Sequence, residues 1–262
     1  MVAISHAMHT IWPAAAASSW FSWSWLHAAN CDITNQTSSL VVPPSQTQLV
    51  APTNESLSSV GLAFGIQNYT CTQSNNFTNV GAVAELIDVS CLAGSSVFRQ
   101  LPDQLYDSWV NFNQSSVQEI IDHLHVLNPP EILAQHYFVS NPTTGQGLSP
   151  KWDFTSSGKF SGNKDAFFVG RGQGSLPAPT DPKKDINWLE VANVQGSIAN
   201  TVFRTDTRGG QPPSSCEFGK TQDTSVRYVS FYCKQLQFFS PFASANKLID
   251  FSWIDFSGGS IH

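Results

Sequence analysis

VGLAFGIQNYTC, residues 60–71, puts Val60, Leu62, Phe64 and Ile66 at every second position, with small or polar residues between them. A period of two is the spacing of a strand that lays one face against a core. GAVAELIDVSC, residues 81–91, follows as its hairpin partner, although its spacing also admits a helix. Beyond residue 131 the strand pattern resumes in ILAQHYFVS (132–140) and PKWDF (150–154), with TSSG (155–158) as a turn and KFSG (159–162) as a further strand. DAFFVG (165–170) continues it and runs into a Gly/Pro loop, GRGQGSLPAPTDP (170–182). INWLEVANV (186–194) and SIANTVFRTDT (197–207) read as strands joined around Gln195-Gly196, and SVRYVSFYC (225–233) closes the set. About eight short antiparallel strands separated by turn signals predict a mainly β fold, a sandwich or a barrel.

One segment breaks the period. Leu101, Leu105, Trp109 and Phe112, then Val117, Ile120, Ile121, Leu124 and Leu127, recur at helical spacing. Ser116-x-x-Glu119 has the form of a capping box, and Pro129-Pro130 stops the second helix. A short α-helical insertion over residues 101–127 is therefore expected between β segments. The expected organisation is a signal segment at 1–29, one β-rich domain at 30–233 and an aromatic extension at 234–262. IWPAAAASSWFSWSWLHAA (11–29) is apolar and aromatic, with Ala28-Ala29 before a cleavage point, as in a secretory signal; it also suits a structural apolar strand. Pro13 and the serines interrupt it as a membrane span.

Composition narrows the partners. Only 12% of residues are charged, about half the usual ~25%, while the chain carries 18 Phe and 8 Trp. The net charge is −6, and the first Lys or Arg is Arg99, so neither nucleic acid nor an anionic membrane finds a basic patch. Five Asn-x-Ser/Thr acceptors, at Asn35, Asn54, Asn68, Asn76 and Asn113, all precede residue 115 and fall in loops or strand ends; Asn141 is excluded by its following proline. Cysteines at 31, 71, 91, 216 and 233 form no C-x-x-C pair. In an oxidising compartment Cys71 pairs most simply with Cys91, closing a short loop worth roughly 3 kcal/mol. Cys31 with Cys216 is the second expected bridge, and Cys233 is left over. Acceptors and thiols together predict a secreted, glycosylated, disulfide-linked chain.

Candidate chemistry is sparse. GRGQGS (170–175) is followed by Leu-Pro-Ala-Pro, which cannot open the helix that a dinucleotide site requires, so no nucleotide cofactor is implied. His123 and His125 point apart on a helix, and no metal site is expected. His136, inside an apolar strand, could form an acid–base pair with Asp153 or Asp206 if their strands adjoin; otherwise it is a buried histidine, with Arg204 and Asp206 as a structural ion pair. Trp152 and Trp188 are either core residues or exposed platforms on which a sugar stacks, with Arg204 and Tyr228 as further ligand contacts. RGGQPPSSC (208–216) reads as a shaped turn anchored by a disulfide.

VGLAFGIQNYTC, GAVAELIDVSC, QHYFVSNPTTGQGLSPKWDFTSSGKFSG (135–162), INWLEVANVQGS (186–197) and VFRTDTRGGQPPSSC (202–216) together resemble the secreted fungal proteins of unknown function often labelled malate dehydrogenase-like. The resemblance covers residues 30–232 and implies a signal-bearing, mostly β extracellular protein with no established catalytic residues. A genuine malate dehydrogenase is excluded by the missing dinucleotide fingerprint and the missing alternation of strands and helices. The leading expectation is non-catalytic binding of a cell-wall glycan or another small extracellular ligand. The alternatives are an extracellular hydrolase or lyase using His136 with Asp153 or Asp206, and a secreted effector that binds a host protein.

Overall fold

The computed structural model describes residues 31–35, 42–50, 55–111, 116–127 and 131–237. The expected signal segment and nearly all of the aromatic extension lie outside them, as do Asn54, Asn113 and the side chains of His123 and His125. Among the described residues are eight strands: β1 (Glu55–Cys71), β2 (Phe77–Asp88), β3 (Ile132–Ser140), β4 (Leu148–Asp153), β5 (Phe167–Leu176), β6 (Trp188–Gly196), β7 (Thr201–Gly209) and β8 (Thr224–Gln237). Each pairs antiparallel with the next, and β8 returns to β1, so the sheet closes into an up-and-down barrel. Closure leaves no free edge to pair with another chain.

Two apolar layers use the two faces of this wall. One cluster draws on all eight strands, which only a lumen permits: Ala63, Ala84, Ala134, Trp152, Phe168, Val191, Val202 and Tyr228 each come from a different strand. The register confirms the shared face, because Gly65 pairs with Ala84 and Tyr228, Ala84 with His136, His136 with Trp152, and Trp152 with Phe168. Small residues on β1 and β2 make room for the large rings of β4 and β8. A Cβ at Gly65 would collide with the backbone carbonyl of Val83.

The second cluster lies outside the barrel. Leu62, Phe64, Phe203, Val229 and Phe231 meet the helices α1 (Leu101–Val110) and α2 (Val117–Leu127), which occupy the β2–β3 connection. The apolar stripe of α1 buries Leu101, Leu105 and Trp109. Trp109 packs edge-on to Phe64 and donates its indole N–H to the Gly65 carbonyl at 3.0 Å. The capping box of α2 forms in both directions: Ser116 N donates to Glu119 Oε2 at 2.8 Å, and Glu119 N to Ser116 Oγ at 3.1 Å. The segment 42–50 straps the outer face of β6, where Val50 N donates to Glu190 Oε2 at 2.7 Å.

Three sequence expectations are corrected. Gly170–Ser175 is not loop but part of β5, with bulges at Val169/Gly170 and Gly172/Gly174. Its glycines mark close approaches, since a Cβ at Gly170 would strike Val191 and one at Gly174 the Gln48 carbonyl. KFSG is not a strand; Gly158–Phe160 forms a 3-10 turn, entered with Gly158 at φ +65°. The bridges are Cys31–Cys91 and Cys71–Cys216, not Cys71–Cys91 and Cys31–Cys216. The hairpin explains the exchange: Cys71 pairs with Phe77 at one end of β1, while Asp88, just before Cys91, pairs with Gly61 roughly 30 Å away. Each cysteine therefore finds a partner at its own end of the barrel. Cys233 is left unpaired, as expected, and is buried.

Candidate functional site

The lumen holds the chemistry that the sequence left scattered. His136 sits on β3, its ring stacked on Trp152 at 4.4 Å and 17° and tilted toward Tyr232 at 5.4 Å. Its Nδ1 lies 2.9 Å from the Lys151 carbonyl oxygen. A carbonyl only accepts, so Nδ1 carries the proton and Nε2 presents a lone pair. Burial pulls the imidazole pKa down to about 3; the Lys151 carbonyl opposes the shift and the Arg204 charge adds to it. The ring is neutral across the physiological range.

Neither candidate carboxylate reaches it. Asp153 pairs with Gln135, one residue from His136, and so lies on the opposite face of the wall. There it accepts from Tyr137 Oη at 2.7 Å, Lys151 Nζ at 2.8 Å and Thr155 Oγ1 at 2.7 Å. Burial alone would raise its pKa, but these three partners outweigh it and hold the carboxyl well below the usual range. Asp206 occupies the bulge of β7 at φ +48°. Burial raises its pKa, and the charges that act on it are Arg208, Arg99 and Asp103, around α1 rather than in the lumen. Arg204 and Asp206 form no ion pair; Arg208 pairs with Asp103 at 2.5 Å instead.

The two tryptophans part company. Trp152 is 3% exposed in the lumen, edge-on to Phe168 and Tyr232. Trp188 is 5% exposed on the outer wall, in the cluster that contains Leu49 and Ala178. Neither is an open platform for a pyranose ring. Tyr228 is fully buried in the lumen, its hydroxyl 3.2 Å from that of Tyr232, and burial raises its pKa well above the usual value. Ser230, between these two tyrosines on β8, faces the same way. Its Oγ and the Trp152 Nε1 are buried with no hydrogen-bond partner among the described residues, as is Nε1 of Trp188 outside. His136, Trp152, Arg204 and Tyr228 thus share the lumen; Asp153, Asp206 and Trp188 do not. Sequence reasoning missed Ser230 and Tyr232. In SVRYVSFYC both alternating sets are largely apolar or aromatic, so no pattern marks which one turns inward.

Two glycines lie toward the end of the barrel where β1 gives way to β2. Gly172 pairs with the lumenal Val191 but is itself exposed, and a Cβ added there would meet nothing within 4 Å. Gly81, paired with Asn68 and at φ +141°, is buried, and a Cβ there would touch Phe138 Cβ and Cγ, both at 3.9 Å. The rim at this end is tied down. Asp185 accepts from Gly209 N at 2.7 Å and from Thr180 Oγ1, Tyr69 Oη donates to the Gly210 carbonyl at 2.7 Å, and Cys71–Cys216 joins two of the loops.

No group of three His, Cys, Asp or Glu side chains among the described residues could hold a metal ion. No helix among them is long and apolar enough to cross a membrane. Of the acceptor asparagines, Asn35 and Asn76 are exposed, and Asn68 is half-buried with its Oδ1 accepting from Ser225 Oγ at 2.7 Å. A family model described as a protein of unknown function, DUF3455, matches residues 52–234, from just before β1 to within β8. No curated protein and no solved structure matches the chain.

Proposed function

Because the chain belongs to the DUF3455 family of proteins of unknown function, and the matched span is the barrel itself, we propose from the lumen's geometry that it is a secreted, non-catalytic carrier of a small ligand. The ligand is compact and largely apolar or aromatic, enters by the Gly81–Gly172 mouth and rests against Trp152 and Tyr232. The observation that carries this reading is the pair of orphaned polar groups, Trp152 Nε1 and Ser230 Oγ, in an aromatic lumen. A buried unpaired polar group costs about 1–3 kcal/mol, which a bound acceptor or an ordered water recovers. Eight-stranded barrels have an interior that side chains can fill or that can enclose one small molecule. Binding of a glycan on surface tryptophans loses its support, since both rings are covered. A His136–carboxylate hydrolase loses its dyad.

Secretion and glycosylation are part of the same reading, supported by two bridges of the kind that persist outside the reducing cytoplasm and by the exposed Asn35 and Asn76. The test is a titration of the folded protein with a library of small aromatic and aliphatic compounds, read by tryptophan fluorescence and native mass spectrometry. Saturable one-to-one binding that Gly172→Phe abolishes, with the circular dichroism unchanged, is the expected outcome. Binding indifferent to Gly172→Phe, or none across the library, would end the proposal.

A further inference from the structure

Arg204 is a lumenal charge that no carboxylate in the lumen neutralises. On β7 it pairs with Leu189 on one side and Tyr232 on the other, so it shares the inner face with them. Its Nε and Nη2 both donate to a single acceptor, the Asn187 carbonyl, at 3.1 and 2.8 Å. Among the described residues no carboxylate pairs with it. Its charge acts on Tyr69, His136 and Tyr228, two phenols and a neutral imidazole. The other arginines near this end are committed elsewhere: Arg208 to Asp103, and Arg227 to the Trp109 and Val110 carbonyls outside the barrel.

A half-buried guanidinium without a counter-ion is costly unless something else supplies the negative charge. The lumen offers none, and its remaining partners are neutral. Resting on the lumen reading above, we infer that the bound molecule is a monocarboxylic acid whose carboxylate meets Arg204 and whose aromatic or short apolar body lies against Tyr232 and Trp152. One uncommitted guanidinium matches one negative charge. A phosphate dianion would call for a second cation, and the other lumenal one among the described residues, Lys234, directs its ammonium to the Phe154 and Phe160 rings instead. Nη1, which makes no hydrogen bond there, and Nη2 project from the guanidinium as the fork that carboxylates accept in two parallel bonds.

The experiment compares three matched compounds on the intact, disulfide-bonded protein by calorimetry: 3-phenylpropanoic acid, its amide and the corresponding alcohol. The acid is expected to bind at least about tenfold more tightly than the other two, the size of a charge-assisted hydrogen bond. Arg204→Gln should erase that preference, so that acid and amide bind alike, and Arg204→Lys, which keeps the charge, should preserve part of it. Thermal melts of both variants establish that they are folded. Equal binding of acid, amide and alcohol, or a preference that survives Arg204→Gln, overturns the inference and leaves the lumen reading standing. Binding of none of the three overturns the inference, and the Gly172→Phe-sensitive library titration then decides the lumen reading by itself.

Discussion

Lys234 is the residue whose surroundings most contradict its chemistry. It is 4% exposed at the far end of the lumen, with its ammonium 5.0 Å from the Phe154 ring centre and 4.9 Å from that of Phe160. Burial, reinforced by Lys159 and opposed by Asp88, pulls its pKa down from 10.5 to about 7. Between those two values the unfolded chain holds a proton that the folded chain has released, so this group's contribution to stability rises with pH from about 7 to 10.5 and is least favourable below pH 7. Lys234→Met should therefore raise stability by about 1–4 kcal/mol at pH 6 and by progressively less toward pH 10. Urea melts of both proteins across that range check it; parallel curves would mean that Lys234 is not the titrating group. Little of this was legible beforehand, because the sequence places Lys234 just past its last expected strand residue. His136 was legible as a buried histidine. Its lumenal address was not, because strand parity fixes two faces without naming the inner one.

Among the elements, α1 depends on its contact with the β1–β8 seam. Trp109 packs on Phe64, donates to Gly65 and lies 4.5 Å beneath the Arg227 guanidinium. Trp109→Ala should cost about 3–5 kcal/mol in denaturant melts, with α1 amides losing hydrogen-exchange protection before the strands do. A loss below 1 kcal/mol would mean that the helix is held by other contacts. This insertion was readable because Leu101, Leu105 and Trp109 recur at helical spacing and Ser116 and Glu119 have complementary chemistry. β5 was misread for an equally local reason. Its glycines remove the side chains that reveal a period of two, and what requires them, Val191 and the Gln48 carbonyl, comes from distant parts of the chain.

For the molecule as a whole, neighbouring strands in sequence are neighbours in space everywhere except at the β1–β8 seam. The turn signals therefore sufficed for an approximate strand number, whereas the order of the strands and their closure, and with it a lumen rather than a flat sandwich core, depended on pairings that no local pattern records. The Cys71–Cys216 bridge spans that seam and 145 residues of chain, with β2 to β7 between its cysteines. The β3–β4 turn, exposed from residue 142 to 148, lies inside this covalent ring. A protease that cuts there leaves two polypeptides held by sulfur, each still hydrogen-bonded to its neighbours. The nicked protein should migrate as one band without reductant and as two with it. A barrel cleaved once there would thus stay joined until its surroundings became reducing.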